Sequence, residues 1–365
     1  MTVFKKGELF SGPGGLSLGA KISKIVDGNG IEHSVEHTWA NDFNEEACKT
    51  FINNISPNKP ASVIYKPVQK VDISKLEGID AFAFGFPCND FSIVGKSLGI
   101  DGEYGHLFTY GIEVLRTHQP RWFIAENVGG LKSVNEGKTF RLIMRELINS
   151  GYDIFPHLYK FEEYGVPQAR HRIIIVGIKK DENLKFKIPA PTYIDKFKTA
   201  REALLNPPIL ENAPNHQFTR HKQRVIDMLN HIPPGENAWS EKIPEKMRLR
   251  VKGARMSQIY RRLHPEKPSY TITGSGGGGT HIYHWEQPRA LTNRERARLQ
   301  SFPDNFVFSG NKEQVRQQIG MAVPPQAAKV IIEAILKTFA GIPYREDSRG
   351  PRWSQIQIQK QLNSL

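Results

Sequence analysis

With 365 residues, the chain is long enough for roughly two domains of ~150 residues, and 39% hydrophobic, 10% aromatic and 24% charged residues exclude the collagen-like, low-complexity and disordered classes. Lysine and arginine (50) exceed aspartate and glutamate (37), a formal charge of +13 that draws the chain towards polyanions, nucleic acid first and an anionic membrane surface second. No apolar run approaches the ~18 residues of a membrane span, and residues 1–20 end in a glycine cluster where a leader would have an apolar segment and cleavage site, so no export is expected. Two cysteines, Cys48 and Cys88, exclude a disulfide framework, so the expectation is a soluble cytoplasmic protein.

Short apolar runs at Gly7–Phe10, Val35–Asn41, Ile79–Phe86, Trp122–Glu126 and Arg172–Ile178 predict strands. Between them, Asn44–Ile55, Leu107–Thr117 and Thr139–Asn149 have helical spacing, the last stopped by Gly151. Strands alternating with helices predict a mainly parallel sheet covered on both faces. After Lys179 the chain turns polar and proline-punctuated, and to about Tyr283 it reads as short strands and loops. Thr292, three before Glu295, makes a capping box for a helix over Asn293–Ser301. Ala327, Val330, Ile331, Ala334 and Ile335 then form an apolar helical stripe. The expected organisation is a first domain over 1–185 and 286–343, an inserted lobe over 186–285, and a polar tail over 344–365.

Glu8-Leu-Phe10-Ser-Gly12-Pro-Gly14-Gly15 is a glycine loop after the first strand, which lets backbone approach a cofactor or simply makes a tight turn. Asp42 follows the second strand, where nucleotide-binding folds place a carboxylate on ribose hydroxyls; Asp72 is a further carboxylate at a strand end. Cys88, in Gly85-Phe-Pro87-Cys88-Asn89, follows a central strand, where open parallel sheets bind ligands. It becomes a nucleophile only where positive charge or helix amides favour its thiolate. Cys48, at core-like helical spacing, reads as inert filler. Glu126-Asn127-Val128 ends another strand, and in Gln168-Ala-Arg170-His-Arg172 an extended chain shows Gln168, Arg170 and Arg172 on one face.

These blocks, with Arg289–Pro303 and Gly320–Pro325, resemble in order those of the DNA (cytosine-5)-methyltransferases of bacterial restriction-modification systems. The resemblance implies an α/β fold: a Rossmann-like class I S-adenosylmethionine-dependent domain with a smaller, irregular target-recognition domain inserted. It implies that Cys88 adds to C6 of a flipped-out cytosine in duplex DNA, that Glu126 hydrogen-bonds N3 and the amino group, and that Arg170 contacts O2, with Arg172 in the same catalytic set. For S-adenosylmethionine it implies Phe10 and Phe43 on adenine, Asp42 on the ribose and Asp72 on the adenine amino group, together with Gly12, Gly14, Gly15, Pro87, Leu107 and Ala322. Three positions depart from the family pattern: Asn89 stands for glutamine, Asp42 for glutamate, and Met321 for asparagine after Gly320.

The segment after Cys88, which carries Gly95, Gly99, Gly102 and Gly105, reads as a lid over the flipped base, and Ser92 and Lys96 in it are expected on DNA, with Gln168. In the lobe, Lys246, Arg248, Arg250 and Lys252 alternate with apolar residues, so an extended strand would show all four on one face. With Arg255, Arg261, Arg262 and Thr271 they form the remaining expected DNA contacts. The expected partner is double-stranded DNA, with a monomeric enzyme, no metal and no membrane. A restriction endonuclease acting on the same site is the expected counterpart, without a stable complex. The rival readings are a transfer RNA cytosine-5 methyltransferase and an inactive DNA-binding protein.

Overall fold

The computed structural model describes residues 2–86, 107–128, 138–250, 256–347 and 349. Pro87, Cys88, Ser92, Lys96, the Gly95–Gly105 lid, Lys252 and Arg255 lie outside the described residues. The chain divides into two compact units: residues 1–160, 171–191 and 327–365 form the first, and 161–170 with 192–326 the second.

The first unit is built on an eight-stranded sheet. Its strands are β1 (Thr2–Leu9), β2 (Lys24–Val26), β3 (Glu32–Asp42), β4 (Val63–Tyr65), β5 (Ala81–Gly85), β6 (Trp122–Val128), β7 (Tyr152–Lys160) and, after the two-residue β8 (Gln168–Ala169) of the second unit, β9 (His171–Lys179). The order is β2-β3-β1-β5-β6-β9-β7, with β4 paired to β3. Pairings among β3, β1, β5 and β6 are parallel, while β9 runs antiparallel to β6 and β7. Ala81–Phe84 and Ile173–Val176 are buried along their whole length, as strands covered on both faces require. Helices α1 (Gly15–Lys21), α2 (Glu45–Asn54), α3 (Leu107–His118) and α4 (Lys138–Asn149) follow strands β1, β3, β5 and β6. Helix α3 buries Phe108, Ile112 and Leu115 in a cluster with Phe82, Phe84, Phe123, Ile143 and Leu147. From β1 the chain winds outward to β3 and β4, then returns to β5 on the other side of β1. The strand order reverses there, and ligand crevices open at the carboxyl ends of strands at such a reversal.

The second unit has little regular structure: helices α5 (Ala200–Leu205), α6 (Gln223–Asn230), α7 (Asn293–Leu299) and α8 (Lys312–Met321), and the pairing of β8 with β10 (Ser269–Tyr270). Buried side chains satisfy its loop carbonyls instead. Arg262 donates to His284, Leu229 and Ile232 carbonyls at 2.8 Å each, and Arg294 to those of Pro214, Phe306 and Pro303 at 2.9, 2.7 and 3.0 Å. Gly320 has no room for a side chain, because a Cβ there would lie 2.0 Å from the Gly274 nitrogen.

The unit boundaries differ from those expected. The second unit begins after Pro191 and ends at Gln326, not near 185 and 286, because Arg294 and Arg298 of α7 bind carbonyls of residues 203–214 and keep that helix within the second unit. Helix α9 (Pro325–Phe339) returns the chain to the first. The basic run is not a strand: Glu245–Met247 is a 3-10 turn, and Arg248 folds back onto the carbonyls of Ile243 and Glu241 at 2.8 and 2.9 Å. Its alternation survives, with Lys246, Arg248 and Arg250 exposed and Met247 and Leu249 packed against the core of Leu229, Ile232 and Tyr283. The segment Lys312–Phe339 has the length and apolarity of a membrane span, but it is two helices, and 67% of its most apolar window is buried.

Candidate active site

At the carboxyl ends of β1 and β3 the chain makes the turn that the glycines predict. Phe10, Gly12 and Gly14 have φ of 56°, 52° and 92°, left-handed values that glycine adopts without strain; Phe10 adopts one with its ring against the core. The turn is fastened to β3, the Gly12 N–H donating to Asp42 Oδ2 and the Asn44 N–H to Asp42 Oδ1, both at 2.8 Å. Burial raises the Asp42 carboxyl above its ordinary value, and the N–H donors of Asn44, Gly12 and Phe43 partly offset this.

Three further features fit this crevice to a nucleoside-bearing cofactor. The Ser11 hydroxyl is buried without a hydrogen-bond partner, and a Cβ on Gly12 would meet nothing within 4 Å. Phe43 is 68% exposed and Tyr65, in register with Asp42, is 53% exposed, large apolar area left for a flat ring to cover. Tyr65 was not anticipated; its one sequence signal is the end of a short apolar strand. Asp72 is half exposed, held by Lys75 Nζ at 2.8 Å and the Ser74 hydroxyl at 2.6 Å, which keep its carboxyl below the ordinary range. Gly15 opens α1, and Leu107 at the start of α3 belongs to the core. Ala322 is buried in the second unit, and Met321 is 74% exposed.

Two strands along the sheet, β5 delivers the chain towards Cys88. Gly85 pairs with Glu126 of β6, and a Cβ on Gly85 would lie 3.4 Å from Glu126 Oε2, so the carboxylate stands over the end of β5. Because β9 is antiparallel to β6, its first residues reach the same edge, and Arg172 Nε sits 3.0 Å from Glu126 Oε1. Both side chains are mostly covered, at 15% and 14% exposure, which strengthens their attraction over that of a surface pair. Asn127, buried on β6, donates to the Phe86 carbonyl at 3.2 Å and so holds the backbone immediately before Pro87 and Cys88. The Cys48 thiol is buried and pushed up to about 12 by desolvation, an environment that disfavours its thiolate. Among the described residues no group of three or more His, Cys, Asp or Glu is placed to hold a metal.

Three expected assignments need correction. Gln168, expected on DNA, is fully buried in the second unit, where it donates to the Leu299 carbonyl and Gln300 Oε1 and accepts from the Ile272 N–H. Arg170, expected on the cytosine O2, is 2% exposed and donates to the Ile272 and Gly320 carbonyls at 3.1 and 3.0 Å; Arg172 is the arginine beside Glu126. Arg262, expected on DNA, is the buried carbonyl clamp described above. Of the other lobe residues, Arg261 lies over the Tyr270 ring at 4.4 Å, and the Thr271 hydroxyl donates to the Ala169 carbonyl at 2.7 Å.

Comparison with known proteins gives the same answer from a separate direction. The profile of the C-5 cytosine-specific DNA methylases matches residues 4–337. The chain is 62% identical over 349 residues to the Type II methyltransferase M.BbvI of Brevibacillus brevis, covering 93% of each. It is 39% identical over 341 residues to the Type II methyltransferase M.NgoFVII of Neisseria gonorrhoeae, covering 91% of this chain and 86% of that one. Among solved structures, an Escherichia coli prophage protein described as a DNA modification methyltransferase superposes with a TM-score of 0.70 at 23% identity, covering 92% and 99% of the two chains. The Schizosaccharomyces pombe Dnmt2 methyltransferase does so with 0.61 at 16%, covering 92% and 98%; at such identities these likenesses speak to the fold alone. With its strand-end crevice and its profile match in agreement, the chain belongs to the C-5 cytosine-specific DNA methylase family.

Proposed function

We propose that this chain transfers a methyl group from S-adenosylmethionine to C5 of a cytosine flipped out of duplex DNA, with Cys88 as nucleophile and the Glu126–Arg172 pair as the groups that bind and polarise the base. The observation that carries this reading is that pair, 3.0 Å apart at the edge where β5 ends. The cofactor supplies an electrophilic methyl group. Cytosine C5 is too weak a nucleophile to take it unaided, so covalent addition lowers the barrier.

The Cys88 thiolate forms a bond to C6, and the C5–C6 π electrons move into the ring, placing negative charge towards N3 and O2. Glu126 holds a proton on N3, neutralising the charge that builds there, and accepts from the exocyclic amine, while the Arg172 guanidinium stabilises the charge at O2. C5, now enamine-like, takes the methyl group as the methyl's bond to sulfur breaks and a neutral thioether leaves; a base then removes the C5 proton, and those electrons re-form the C5–C6 double bond and expel the thiolate. Asp42 accepts from the ribose hydroxyls, with Phe10 and Phe43 against the adenine. The base must leave the stack to be reached. The exposed cations Lys246, Arg248 and Arg250 support a recognition role for the second unit through DNA phosphates.

The relatives named Type II methyltransferases support a role beside a restriction endonuclease in the cytoplasm, with a monomer sufficient for one cytosine per binding event. The test is transfer of label from S-adenosylmethionine to duplex DNA and, in parallel, transfer RNA. Label in 5-methyldeoxycytidine that disappears with Cys88→Ala supports the reading, and label in RNA alone overturns it.

A further inference from the structure

Around α7 in the second unit, the arginines are strongly partnered, with one exception. Arg289 makes a two-pronged pair with Glu295 at 2.8 and 2.7 Å, Arg294 binds three carbonyls, and Arg298 holds Asp304. Arg296 is 3% exposed, yet among the described residues its guanidinium has a single hydrogen-bond partner, His281 Nδ1 at 3.4 Å. That partner is uncharged: burial, then the charges of Arg296 and Arg316, hold His281 down to about 4.

Arg316 on α8 is in a similar condition. Its side chain is 12% exposed, its Nε is buried without a partner, and its acid, Glu313, stands at 3.8 Å and is itself 76% exposed. The two guanidinium charges press on each other: burial first, and Arg316 second, draw Arg296 down to about 10. A buried charge without a close counter-charge is costly; among the described residues Arg296 has no ion pair, and the carboxylate that favours its charge from farther off, Glu295, is itself paired with Arg289. Beside the pair runs the glycine loop that leads to His281. A Cβ on Gly277 or Gly278 would meet nothing within 4 Å, so an incoming group finds bare backbone there, and Gly274 packs against Gln317 of α8, tying loop and helix together.

We propose that Arg296 and Arg316 form one seat for a single phosphate of the DNA backbone, with the Gly276–Gly279 loop giving the strand its close approach. The proposal rests on the reading of duplex DNA as substrate and adds to it a contact contributed by α7 and α8, apart from the basic run at 246–250. The seat reads no base; it fixes the register of the duplex on the second unit.

The experiment is binding of the full chain to a fluorescent duplex across salt concentrations, with thermal unfolding and S-adenosylmethionine binding measured on each variant. Arg316→Gln is expected to flatten the slope of log affinity against log salt by about 0.9. A fourfold rise in salt then costs the variant about 3.5-fold less affinity than it costs the wild type. Arg316→Lys keeps the slope, and cofactor binding is unchanged in both. Because the two arginines share one phosphate, Arg296→Gln with Arg316→Gln also flattens the slope by about one unit, not two. An unchanged slope with a lowered unfolding midpoint makes the pair structural and overturns the seat; a two-unit loss in the double variant means separate phosphates and overturns it as well. If the wild type shows no salt-dependent duplex binding, the DNA reading itself fails, a result distinct from either.

Discussion

The two units solve the same problem, the satisfaction of buried backbone groups, by different means. In the first, strands β1, β3, β5, β6, β7 and β9 satisfy one another in a ladder, and the side chains at their ends are left for chemistry. In the second, one short ladder serves, and Arg170, Arg262, Arg294 and Gln168 hold carbonyls that no strand reaches. The same residue types therefore mean different things. Arg172, at a strand end of the first unit, faces a carboxylate, whereas Arg170, two residues earlier, is a strut of the second.

That contrast is sharpest where rate and stability are measured together. Glu126→Gln is expected to lower the methyl-transfer rate by about 10²–10³-fold, the range for losing one group that stabilises transition-state charge, while single-turnover assays find cofactor binding and the unfolding midpoint near wild type. If the midpoint falls in step with the rate, the strand-end pair is structural too.

Arg294→Met tests the other side. Taking the donor from one buried and two part-buried carbonyls is expected to destabilise the chain by about 1–3 kcal/mol, read from urea unfolding. A change under about 1 kcal/mol would show that the second unit does not depend on its arginine struts.

Asp42→Ala is expected to weaken S-adenosylmethionine binding about 10–100-fold, since hydrogen bonds to charged groups contribute about 1.5–3 kcal/mol. The pH dependence has a definite sign. Burial raises the Asp42 carboxyl, and in the proposed ribose contact only the ionised form would accept from both hydroxyls. Affinity should therefore be full at neutral pH and decline as pH falls through the raised value, earlier than for an ordinary aspartate. Titration calorimetry on wild type and Asp42→Ala checks this, because the variant should lack that acid limb. The smallest effect belongs to the surface: Lys246→Gln should flatten the salt slope of duplex binding by about one unit and leave the unfolding midpoint unchanged.

The sequence was legible where elements are periodic and illegible where side chains replace them. The glycine loop, Asp42 and the Glu126 strand end stand where strand-to-helix alternation places them. Strand β7 is absent from the expected elements; it carries Pro156 and lies at the sheet's edge, where proline is tolerated. Helix α7 was found from its capping box, but its membership of the second unit was not, since that depends on Arg294 and Arg298 reaching carbonyls some 80–95 residues away in sequence. For the same reason Gln168 was expected on DNA and Arg170 on the cytosine: spacing shows which residues share a face, not which unit that face is buried in.

The most direct test of the account is single-turnover transfer of labelled methyl to duplex DNA by Arg172→Gln, with the product digested to nucleosides and unfolding followed alongside. The account predicts label in 5-methyldeoxycytidine at a rate lowered by about 10²–10³-fold, in a protein that folds and binds cofactor as the wild type does. A rate within about threefold of wild type, or a loss seen only with unfolding, would contradict the assignment of the Glu126–Arg172 pair to the chemistry.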